Sequence, residues 1–129
     1  MSISYRVKVH PEHVVLECSG TYSPDEALRI YAAAFEEASK AGRLAVLVDT
    51  RAVSGREPTL AERYDQGAGV ADMQRHYIPR IRFAILGHEP MIHPERFGEI
   101  VATNRGAQAR VFTDERSALD WLLGRPPAA

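Results

Sequence analysis

Cysteine is almost missing from this sequence. Cys18 stands alone, which excludes an internal disulfide and allows a reducing compartment. Lysine is scarce as well, with Lys8 and Lys40 the only two beside an abundance of arginine. Arginine's planar fork suits carboxylate and phosphate recognition, although a bias toward arginine codons is the simpler explanation of the excess. No apolar run approaches the roughly 18 residues of a membrane span, and the opening MSISYRVKVH lacks a signal-peptide core. The expected location is therefore the cytoplasm, with no membrane span. The formal charge of -1 supplies no basic surplus for nucleic acid. There is no Walker loop, no GxGxxG spacing and no GxSxG elbow. Their absence removes the usual phosphate-cradling, dinucleotide-binding and serine-hydrolase signatures, and no cofactor is expected.

What remains is the composition of one ordinary globular domain, 129 residues long and 45% hydrophobic. ISYRVKV alternates with period two, placing Ile3, Tyr5, Val7 and Val9 on one strand face. VVLECSG follows after HPEH, so the two strands are expected to form an antiparallel hairpin with Cys18 packed as a small apolar group. His10 and His13 then flank a solvated turn. Ser23, Pro24 and Glu26 announce a helix start, and Leu28, Tyr31, Phe35 and Ala38 recur at helical spacing until Gly42 ends the helix.

LAVLVD, residues 44–49, lacks alternation, and so does RFAILG, residues 82–87. Strands apolar on both faces are covered on both sides, as central parallel strands are. ARVFT, residues 109–113, is a weaker strand. Between these strands the spacing predicts helices from about Pro58 to His76 and from Pro94 to Asn104, the second burying Phe97, Ile100 and Val101 with His93 near its N-cap. Gly106 is expected in the left-handed position after it. A last helix follows a Thr113 cap and carries Ala118, Leu119, Leu122 and Trp121, the last of which is expected deep in the core. The order is β-β-α-β-α-β-α-β-α, which implies a single α/β domain with a mixed five-stranded sheet and about four helices over residues 1–124. The tail, 125–129, is expected to fray.

This order and these segments resemble the STAS superfamily, and within it the SpoIIAA-like group of small bacterial proteins. The resemblance rests on the opening hairpin, the capped helix from Ser23, the apolar strand ending at Asp49, AILG at 84–87, and NRGAQARVFTDERSALDWL at the end. It implies the STAS fold and a regulatory or binding role, since many members of the group have no assigned activity and others bind small molecules or lipids. Anti-anti-sigma members carry an Asp-Ser-Ser-Gly-like turn past the equivalent aspartate, and a partner kinase phosphorylates its serine. Here the turn reads DTRAVSGREPTL. Only Ser54-Gly55 corresponds, with no acidic residue before the serine, so Ser54 is the one phosphorylation candidate the resemblance supplies.

Ligands of open α/β sheets lie beyond the carboxyl ends of parallel strands. That rule selects the segment after residue 49, where Asp49, Arg51, Ser54, Gly55, Arg56, Arg63 and Tyr64 are the candidate binding residues. A helix start with nearby glycine, hydroxyls and arginines can hold an anion; equally, Asp49 can cap the turn or pair with Arg51 or Arg56. In the second turn His88, Glu89, His93 and Glu95 crowd together, but the histidines stand five apart across Pro90, which is the wrong spacing for a zincin-type metal site. Cys18 lies inside a strand, where a buried thiol is inert. Gly67 and Gly69 weaken the 58–76 helix, whose thin apolar stripe suits a lid or a mating surface. The expected function is a non-enzymatic STAS-like binding or regulatory module, whose partner is a protein, a second copy of the chain (a homodimer), or a small anionic or apolar ligand. The alternative is an enzyme acting on a small anion, with Asp49 as acid or base and Arg51, Arg56 or Arg63 holding the substrate.

Overall fold

The computed structural model describes residues 3–77 and 79–125. The elements are β1 (Ile3–Val9), β2 (Val14–Thr21), α1 (Pro24–Ala41), β3 (Ala45–Ser54), α2 (Leu60–His76), β4 (Arg82–Leu86), α3 (Phe97–Asn104), β5 (Ala109–Phe112) and α4 (Glu115–Leu122). The strands form one sheet in the order β1-β2-β3-β4-β5. β1 and β2 pair antiparallel across a turn closed by the His10 amide donating to His13 oxygen, and every later pairing is parallel. A hairpin followed by three helical crossovers leaves this mixed order as the natural outcome. The expected architecture is present. Of the tail expected to fray, only Arg125 belongs to the described residues.

Two apolar layers hold the sheet. On one face Val14, Leu16, Val46, Val48 and Phe83 meet Ile30, Ala34, Phe35 and Ala38 of α1, with Val70 and Ala71 of α2 and Ala102 of α3 completing the layer. On the other face Ala45, Leu47, Ala84 and Leu86 meet Ala118 and Leu122 of α4. Alternation along β3 explains the split, since consecutive side chains of a strand leave opposite faces. Phe35 stacks on Phe83 with ring centroids 4.9 Å apart, and Tyr31 meets the same ring edge-on at 5.6 Å.

The helix caps follow the sequence in part. The Ser23 hydroxyl accepts from the Glu26 amide, and Gly42 takes the left-handed conformation at φ 68°. Thr59 and Glu62 form a complete capping box, so α2 starts at Leu60 with Pro58 outside it. Five expectations need correction. Trp121 is only half-buried and lies beside Phe112 at the rim of the α4 layer, because Ala118 and Leu122 occupy the inner positions of that short helix. α3 starts at Phe97 rather than Pro94, since Arg96 adopts φ 55° and interrupts the helical path. Ile100 is 48% exposed; Val101 faces inward as expected, and Ala102 takes the inner place expected of Ile100. The α4 cap is Asp114, whose carboxylate accepts from both the amide and the hydroxyl of Ser117. His13 is half-buried and stacked on His10, not fully solvated.

The largest departure concerns the segment after Asp49. It is not a turn: β3 runs on to Ser54, pairing Ala52, Val53 and Ser54 with Ser19, Gly20 and Thr21 of β2. β4 pairs with β3 only as far as Asp49. The last five residues of β3 therefore form a two-stranded extension past the sheet, where exposed Arg51, Ala52 and Ser54 are at ease.

Candidate functional site

α2 is the unusual element. It leans on α1 and α3 and hardly touches the strands. Its apolar contribution is small, and polar pins hold it at both ends. At its start Glu62 accepts from the Thr59 amide at 3.0 Å, and Arg56 forks onto the same carboxylate at 2.9 and 2.6 Å. The Tyr22 hydroxyl joins this group, accepting from Gln66 at 2.7 Å and donating to Glu62 at 3.3 Å. Next to Glu62, Arg63 is 6% exposed and donates to Met91 oxygen at 3.0 Å and Pro90 oxygen at 2.7 Å. At the other end Gln74 donates to Ile81 oxygen at 2.6 Å and accepts from the Gln108 amide at 2.8 Å. Between the pins, Gly67 lets α2 approach α3 so closely that a Cβ there would lie 2.5 Å from Gly98 oxygen.

A helix suspended this way leaves space beneath it. A cavity of about 100 Å³ lies between the sheet, α1, α2, α3 and the 91–93 segment. Ile85, Val70, Ala27 and Met91 give it an apolar wall, and Tyr31, Tyr22, Cys18 and Arg63 supply the buried polar groups. Burial pushes the Cys18 thiol up to about 12, with the nearby Asp49 carboxylate adding to the effect, so the sulfur is inert. Burial likewise raises the Tyr31 hydroxyl well above its ordinary value and keeps it protonated. Tyr22 is raised for the same first reason, against the bond from Gln66.

The candidate residues read from the sequence do not meet in one place. Asp49 and Arg51 lie on the α4 side, where Arg51 forks onto Asp49 at 3.0 and 2.9 Å and reaches Glu115 at 3.3 Å. Burial opposes the Asp49 charge, yet the Arg51 side chain and amide hold its carboxyl below the usual range. Ser54 sits exposed at the end of β3, its hydroxyl 3.4 Å from Gly20 oxygen, and Gly55 turns the chain at φ 118°. Arg56 covers the Tyr22 ring while holding Glu62. Tyr64 points away from the cavity, 44% exposed, and bonds to Arg105. Only Arg63 enters the cavity wall. At the start of α2, the place expected for a bound anion is taken by the chain's own Glu62 carboxylate. In the second turn, His93 accepts from the Glu95 amide at 3.0 Å. Among the described residues no three His, Cys, Asp or Glu side chains gather to hold a metal, and no helix is long and apolar enough to cross a membrane.

Sequence reasoning missed Tyr31, Tyr22 and Gln66 as lining groups. The available signal was Tyr31 itself, a polar tip inside the apolar stripe of α1.

No protein-family model matches the sequence, and no curated protein matches it. Solved structures do match in fold. An anti-sigma factor antagonist from Mycobacterium paratuberculosis superposes with a TM-score of 0.61 at 15% identity, over 95% of each chain. An uncharacterised protein with a SpoIIAA-like fold from Shewanella loihica gives 0.52 at 18% identity, over 94% of this chain and 93% of that one. The anti-sigma factor antagonist SpoIIAA in its unphosphorylated form also gives 0.52, at 13% identity, over 96% of this chain and all of that one.

Proposed function

We propose, from the SpoIIAA-like STAS fold that this chain has, that it is a non-enzymatic binding module whose site is the cavity beneath α2. One observation carries the reading: a half-enclosed apolar space at the carboxyl side of the parallel strands, under a helix held by removable polar contacts. Sites for small molecules are concave, mostly apolar and fitted with a few polar groups. A small, largely apolar ligand suits such a lining. The alternative, an enzyme working on an anion, loses support because its arginines are engaged: Arg51 by Asp49 and Glu115, Arg56 by Glu62, and Arg63 by two carbonyls and Glu57. The reading takes the module to act in a bacterial cytoplasm, with Cys18 as a reduced thiol.

A protein partner is the second reading, favoured by the likeness to two proteins named as antagonists of anti-sigma factors. In that reading Ser54, exposed at the end of β3, remains the phosphorylation candidate, and a homodimer is one form the partner could take.

Methyl-resolved NMR during titration with small neutral compounds tests the first reading. Shifts should concentrate on Ala27, Val70, Ile85 and Met91. Shifts confined to Leu119 and Leu122, on the α4 side, would overturn it.

A further inference from the structure

Among the buried, described residues of the cavity wall, one polar group has no task. Tyr31 is 8% exposed, and among the described residues its hydroxyl makes no hydrogen bond. Every described side-chain polar atom that is sealed from solvent does have a partner. The Tyr31 oxygen is therefore not sealed, and it opens onto the space its residue lines. Tyr22, Cys18 and Arg63 line the same cavity as Tyr31.

The neighbouring polar groups are occupied. Tyr22 is bonded to Gln66 and Glu62, Cys18 to Leu16 oxygen, Thr50 to Leu86 oxygen, and Arg63 to Pro90 and Met91 oxygens. The buried part of the lining thus offers an apolar wall and a single unused hydroxyl, while exposed Arg96 and Arg110 and half-buried His93 and Glu99 complete the lining at its rim. A charged occupant could place its charge only at that exposed rim, because the one buried cation of the wall, Arg63, is already held by Glu57 and two carbonyls, and burying an unpaired ion is strongly unfavourable. Size narrows the class further. An apolar cavity of roughly 150 Å³ takes benzene, and this one measures about 100 Å³ with an open side.

We infer that the cavity takes a neutral, mainly apolar molecule of about one ring's size, carrying one oxygen that hydrogen-bonds the Tyr31 hydroxyl. The inference rests on the binding reading given above and names the ligand class for that site. It makes Tyr31 the residue that separates an oxygen-bearing ligand from its hydrocarbon twin.

Phenol and benzene form such a pair, and Tyr31→Phe is the matching variant. It removes one oxygen and keeps the ring against Phe83. Titrations of both compounds into the wild type and the variant are followed by the methyl resonances of Val70, Ile85 and Met91. Tyr31→Phe should weaken phenol about threefold to tenfold, the value of one neutral hydrogen bond. Benzene affinity should stay within about twofold, which also reports that the variant is folded. Unchanged phenol affinity alongside intact benzene binding would overturn the role of Tyr31 and leave the cavity reading standing. Failure of both compounds to bind the wild type would overturn both.

Discussion

Replacing Gly67 by alanine tests whether α2 is held as closely to α3 as the geometry requires. On propensity alone the change should stabilise a helix by about 1 kcal/mol. The surroundings oppose it. The new Cβ would lie 2.5 Å from Gly98 oxygen, 2.9 Å from Val101 Cβ and 3.1 Å from Val101 Cγ1. A backbone oxygen cannot rotate away, so α3 must shift as a body and part of the layer at Ala102 opens with it. Overpacking of this kind costs typically 1–3 kcal/mol and occasionally more. Because the clash is with main chain, the upper half of that range applies, and a net loss of about 1–2 kcal/mol remains after the propensity gain. For a domain of this length that corresponds to a melting temperature lower by roughly 3–8 °C. Gly69→Ala is the internal control. Its Cβ would meet only Leu28 Cδ2 at 3.0 Å, the flexible end of a half-buried side chain. Leu28 can turn aside, so the helix gain survives and stability should hold or rise by up to about 1 kcal/mol. Urea titrations followed by circular dichroism measure both. Equal shifts in the two variants, or a more stable Gly67→Ala, would refute the close crossing of α2 and α3.

Acid should weaken the fold through two half-buried carboxylates. Glu26, bonded by Arg29 and the Ile3 amide, is held down to about 2, and Glu62, bonded by Arg56 and the Thr59 amide, also to about 2. Both are depressed in the folded state, so their contribution is complete above roughly pH 4.5 and is lost as pH falls toward 2. Urea midpoints measured over that window should fall, and Glu26→Gln with Glu62→Gln should flatten the fall; an unaltered slope would contradict the assignment. Cys18, pushed up to about 12, should carry thiolate in only about one molecule in ten thousand at pH 8. A thiol-reactive disulfide reagent should leave it untouched in the native protein and modify it at once in denaturant; rapid native reaction would contradict its burial. Trp121→Ala should cost about 1–2 kcal/mol, since the indole is a half-buried cover beside Phe112. Outright loss of folding would show that it carries more of the α4 layer than its position allows.

The sequence spoke most clearly where one physical cause set the structure. Unbroken apolar runs at 45–48 and 83–86 could only be central strands, and Ser23-Pro24 with Gly42 marked the ends of α1. It misled where two causes competed. At Asp49 the apolar run ends because β4 ends, not because β3 does, and Arg51 and Ser54 look like turn residues though they sit in a two-stranded extension. In α2 the glycines and the thin apolar stripe suggested looseness, whereas Gly67 serves close approach to Gly98 and Arg63 and Gln74 supply the anchoring. Such pins join residues 7 to 34 positions apart, and no local pattern reports them. The arginines near Asp49 were legible as a cluster, but their partners Glu62, Glu115 and the carbonyls of Pro90 and Met91 were not. Tyr31 was read as one more member of an apolar stripe, because periodicity places a side chain on a face and says nothing of what its tip will meet.

The claim on which the function rests is that a real space exists beneath α2, and xenon tests it most directly. Apolar cavities of this size admit the gas. In a crystal held under xenon pressure, an anomalous peak should appear in van der Waals contact with Val70 and Ile85, a short distance from the Tyr31 ring. A fully refined structure with no peak there, and with Met91 or Val70 collapsed into the gap, would contradict the account.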